Sequence, residues 1–144
     1  MPLAARWIAL IVVGAVPVAW AAERLGFGAP LREPLRDLAL LVVTALAEEI
    51  VFRGGLQPLL AGWRVIGPRR IMPGISAANA LTSLVFAAAH LWAHPPLHAL
   101  AVLPVSLLLG ASLERSGRLW VPAALHVWFN LLLCAAGVLR AWSG

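Results

Sequence analysis

An all-α, polytopic membrane fold of about five transmembrane helices is predicted by three observations. Of the 144 residues, 62% are hydrophobic and only 12% are charged, whereas soluble domains run at about 45–50% apolar and about 25% charged. Mean hydropathy is +0.90. The apolar residues also fall into runs of roughly 16–23 residues, close to the ~20 that cross a bilayer, separated by short segments rich in Gly, Pro and Arg.

The first run, Trp7 to Ala22, lies between Arg6 and Glu23. With Ala19-Trp20-Ala21 it has the outline of a signal peptide, but further spans follow, so a retained first helix is expected. Residues 23–37 mix charge with glycine and proline and read as an interfacial loop or short surface helix. The second span, Leu38 to Leu60, carries Ala47-Glu48-Glu49-Ile50-Val51-Phe52-Arg53. Gly62 to Gly74 reads as a turn-rich basic loop. The third span, Ile75 to Ala93, is stopped by Pro95-Pro96. The fourth, Leu97 to Leu113, contains Pro104, which removes one helix hydrogen bond and predicts a kink. Glu114 to Arg118 is a polar turn, and Leu119 to Leu139 is the fifth span.

All eleven basic side chains are arginine. A sequence pI near 11.6 would suit a nucleic-acid binder, but these arginines are scattered between apolar runs, where they serve to orient the spans. Five spans put six arginines (Arg6, Arg64, Arg69, Arg70, Arg115, Arg118) on one side and four (Arg24, Arg32, Arg36, Arg140) on the other, which favours an N-terminus inside. The single cysteine, Cys134, lies in an apolar run, which leaves neither a disulfide framework nor a Cys-rich metal site. The seven tryptophans fall mostly near span ends, as an aromatic belt does.

The polar residues inside the spans carry the chemistry. A charged group at the bilayer centre costs at least ~2.5–3.5 kcal/mol, yet Glu48, Glu49 and Arg53 lie within six residues. Glu49 and Arg53 have the four-residue spacing of an intrahelical ion pair. Glu48 points about 100° away from Glu49 and is free to face something else. His90 stands on the third span. His126 and Asn130, four apart, share a face of the fifth. All lie ~10–23 Å from the putative inner side, so three helices offer a carboxylate, two imidazoles and a carboxamide in one layer. Such a set can activate water and stabilise an oxyanion. Glu48, His90 and His126 could instead hold zinc, although no H-E-x-x-H is present. Buried Glu and His also build proton relays, but the internal repeats usual in transporters are missing. His94 and His98 flank the double proline and read as interfacial.

Taken together, Glu48-Glu49-x-x-x-Arg53 within EEIVFRGGLQPLL, Phe86-x-x-x-His90 within LVFAAAHL, and His126-x-x-x-Asn130 within GRLWVPAALHVWFNLL resemble the three motifs of the CPBP family. These are the CAAX-protease and bacteriocin-processing, or Abi, intramembrane proteases, which include the Rce1-type prenyl-protein endopeptidases. The likeness covers about residues 36–140. It implies a helical fold around an intramembrane cavity, with residues 1–35 an N-terminal helix and loop ahead of a protease core at 36–144. It further implies that Glu48 and His90 activate water, that His126 and Asn130 form the oxyanion hole, and that Glu49 and Arg53 support the site. No cofactor is expected, although the family has also been labelled metalloprotease, and zinc or another divalent ion remains the alternative. The implied partners are the lipid bilayer and a membrane-associated peptide or protein substrate: a bacteriocin precursor, a leader peptide or a C-terminal sorting segment in a bacterial inner membrane. A non-catalytic membrane chaperone or immunity factor on the same fold is the rival reading.

Overall fold

The computed structural model describes residues 3–27, 31 and 33–143, with side chains from Arg6 to Trp142. Part of the 23–37 segment, including Arg32 of the arginine count, lies outside the described residues. The architecture is all-α apart from one small hairpin. Helix α1 spans Leu3–Arg24, α2 Pro34–Glu49, a π-helical turn Ile50–Leu56, α3 Gln57–Gly62, α4 Ala77–His90, α5 Pro96–Ser116 and α6 Trp120–Ser143. Strands β1 (Arg70–Met72) and β2 (Ile75–Ser76) pair antiparallel around Gly74, whose φ of 86° is open to glycine.

Three helices are long and apolar enough to cross a membrane: Arg6–Arg24, Pro96–Ser116 and Trp120–Trp142. The other two expected spans are built differently. The second is divided among α2, the π turn and α3. The third is α4 alone, 14 residues or about 21 Å, because its apolar run leaves the helix after His90. Leu91–His94 form a turn ahead of Pro95, which disfavours helix in the residue before it. Proline then opens α5, where Pro96 occupies the first turn. Helix α5 continues through Pro104 as one helix and ends at Gly117, whose left-handed φ of 63° lets its N–H reach Leu113 O at 2.8 Å.

The chain divides into two compact units, Met1–Leu46 with Ala124–Gly144, and Ala47–Ala123. In the first, the Trp128 indole N–H donates to Val12 O (3.2 Å), and Arg140 holds the carboxylate and carbonyl of Glu23 at 3.1 and 3.2 Å. These contacts tie α1 to α6 at two levels.

The second unit is turned inside out relative to a soluble protein. Its buried set includes Glu49, Arg53, Gln57, Asn79, Thr82, Ser83, Ser106 and Ser112, while Leu59, Leu84, Val85, Leu97 and Leu100 are exposed. Lipid tails are as apolar as leucine, so helices in a bilayer associate through close packing and hydrogen bonds rather than by hiding apolar surface. Helix α4 follows that rule, presenting Ala78, Asn79, Thr82, Ser83 and Phe86, one helical face of small and polar residues. Gly110 on α5 admits the approach: a Cβ there would overlap Asn79 Oδ1 and stand 2.9 Å from Gln57 Oε1. Gly110→Val is therefore expected to lower the thermal midpoint of the detergent-solubilised protein, by a destabilisation of about 1–3 kcal/mol or more. An unchanged midpoint would mean that α4 and α5 do not pack this closely.

Candidate active site

Glu48 and Glu49 end α2, and the chain then widens into the π turn, where the backbone N–H of Gln57 reaches Phe52 O, five residues back. Such turns recur at functional sites. Here the wider turn carries Arg53, with Glu49 a step before it and Gln57 a step after. The two glutamates differ in environment. Glu49 is 0% exposed, whereas Glu48 is half-buried and can meet water or a substrate.

The expected ion pair is present: Arg53 Nε lies 3.4 Å from Glu49 Oε2, both side chains fully buried. Arg53 Nη2 donates to Ser106 O at 3.0 Å and to Ser106 Oγ at 2.7 Å on α5. Its guanidinium stands over the Phe86 ring at 4.7 Å. The pair thus pins the π turn to α4 and α5, and Glu48 adds to the negative field around the same guanidinium.

A second set of hydrogen bonds continues the layer. Gln57 Nε2 donates to Gly110 O (3.2 Å) and Glu114 Oε1 (3.0 Å), and Glu114 Oε1 also accepts from Ser76 Oγ. Ser76 caps α4 by accepting from Asn79 N, while Asn79 Nδ2 donates to Leu107 O at 2.9 Å. Sequence spacing gave no sign of Gln57, Asn79, Ser106 or Glu114. Arg53 Nη1, Gln57 Oε1 and Thr82 Oγ1 are buried without a hydrogen-bond partner among the described residues.

His90 closes α4. Its Nδ1 stands 2.9 Å from Phe86 O. A carbonyl only accepts, so Nδ1 carries the hydrogen and Nε2 of the neutral ring keeps its lone pair as an acceptor. The ring rests against Phe86 (centroids 4.6 Å), which meets Phe52 edge-on at 4.9 Å. His94 and His98, read as interfacial from the sequence, stack with His90. In the first unit, His126 is buried and Asn130 half-buried on α6, one turn apart.

Among the described residues, no three His, Cys, Asp or Glu side chains are grouped so that they could hold a metal ion. The three imidazoles of the stack lie nearly parallel, at 16–24°.

A family model described as type II CAAX prenyl endopeptidase, Rce1-like, matches residues 30–132. That range includes Glu48, Glu49, Arg53, His90, His126 and Asn130. No curated protein and no solved structure matches.

Proposed function

The chain belongs to the Rce1-like family of type II CAAX prenyl endopeptidases, and from that premise we propose that it is a glutamate-dependent intramembrane endopeptidase working through Glu48, His90, His126 and Asn130. The family match and the three apolar helices make it an integral membrane protein of a protease family acting on peptide or protein. The observation that carries the finer reading is the pairing of a fully buried, ion-paired Glu49 with a half-buried Glu48 beside it. The first carboxylate is committed to structure; the second can accept a proton.

In the proposed reaction, Glu48 takes a proton from a water held by His90 Nε2, and the hydroxide adds to the scissile carbonyl carbon. His126 and Asn130 donate to the oxyanion that forms. The tetrahedral species then collapses, the C–N bond breaks and Glu48 returns the proton to the leaving amine. The proposed route uses no metal: Glu48 takes and returns the proton, and His90 Nε2 holds the water. The proposed substrate is a membrane-anchored precursor: a bacteriocin precursor, a leader peptide or a C-terminal sorting segment in a bacterial inner membrane.

Cleavage of a panel of membrane precursors by the protein in liposomes tests this reading. The panel should include a quenched prenylated peptide ending in a CAAX sequence. Wild type is expected to cut at least one member at a single bond. His126→Ala and Asn130→Ala should each lower kcat about 10²–10³-fold, as loss of an oxyanion donor does elsewhere. Undiminished kcat in both would remove the oxyanion assignment.

A further inference from the structure

His90, His94 and His98 follow one another at four-residue intervals, across the break at Pro95-Pro96. Stacking brings them together despite that break. Ring centroids are 4.2 Å apart for His94 and His98, 5.8 Å for His90 and His94, and 6.2 Å for His90 and His98, with interplanar angles of 17°, 24° and 16°. The two distances from His90 lie in the range of offset-stacked rings, and His94 and His98 are closer still. Phe86 stands one turn before His90, and the His94 backbone N–H donates to His90 O at 2.9 Å. His90 is thus held by Phe86 from the preceding turn and by two imidazoles from the turn and helix that follow.

We propose that His94 and His98 are positioning residues for His90, closing a stack that fixes its ring in one rotamer with Nε2 as the accepting nitrogen. The proposal rests on the reading of His90 as the residue that holds the water. The Nδ1 bond to Phe86 O sets the tautomer, but one hydrogen bond leaves the ring free to swing about it. Flat neighbours stop that motion. Arg53, paired with Glu49, stands over the Phe86 ring that contacts His90, and Glu114 bonds Ser76 at the opposite end of α4.

The test uses the full-length protein with 13C-labelled histidine in bilayers, read alongside cleavage of the quenched prenylated CAAX peptide. The Hε1 resonance of His90, assigned by its loss in His90→Ala, is expected upfield from the ring currents of its neighbours. His98→Ala should return it downfield and lower kcat about tenfold with KM unchanged, since a small misplacement of a reacting group is costly. His98→Phe, which restores a flat ring, should restore both. An unmoved resonance and unchanged kcat in His98→Ala would overturn the proposal. If His90→Ala still cleaves, the role of His90 in the reaction falls instead, and the resonance alone decides whether the stack positions the ring.

Discussion

Glu48→Gln is expected to lower kcat about 10²–10⁴-fold, the contribution of a placed general base, while leaving the helical content and thermal midpoint near wild type. Glutamine keeps the shape and size of the side chain and gives up only the ability to take a proton. The position is half-buried, and Arg53 keeps its ion pair with Glu49. Glu49→Gln should behave in the opposite way. It weakens the 3.4 Å pair with Arg53 and should act first on folded yield. Kinetics and circular dichroism on both variants separate the two carboxylates by role. Equal kinetic losses, or a larger loss in Glu49→Gln, would reverse the assignment.

Arg53→Ala is expected to have the largest effect on stability, about 3–5 kcal/mol, the usual result of removing one member of a buried ion pair. The change takes away two hydrogen bonds to Ser106 and the stacking on Phe86, and it strips Glu49 of its guanidinium. The double variant Glu49→Gln/Arg53→Met should recover much of that loss, because neutral groups of similar volume carry no desolvation penalty for charge. Thermal midpoints in detergent for the single and double variants measure this directly. A single variant as stable as wild type would show that the pair does not hold the π turn to α5.

How far the fold could be read in advance depended on what each segment asks of its surroundings. A bilayer demands that every backbone group be bonded within the segment, so long apolar runs had to be helices, and α1, α5 and α6 follow. The Glu49–Arg53 pair was legible for the same local reason, since four-residue spacing places both on one face. The π turn was not. Ile50–Leu56 reads as ordinary helix, and the extra width serves partners on other elements. Gln57, Asn79 and Ser106 are common residue types whose partners lie 28 to 57 positions away, a relation that spacing does not encode. The histidine stack did leave a signal, three imidazoles at intervals of four.

One measurement bears most directly on the central claim that this chain hydrolyses a peptide bond with water activated at Glu48. Purified wild type and Glu48→Gln would be reconstituted side by side with the cleaved precursor in water enriched in 18O, and the products weighed by mass spectrometry. The expected result with wild type is two fragments summing to the precursor plus one water, with the label in the new carboxyl terminus, and with both fragments formed about 10²–10⁴-fold more slowly by Glu48→Gln. Fragments in equal amount from both proteins would contradict it.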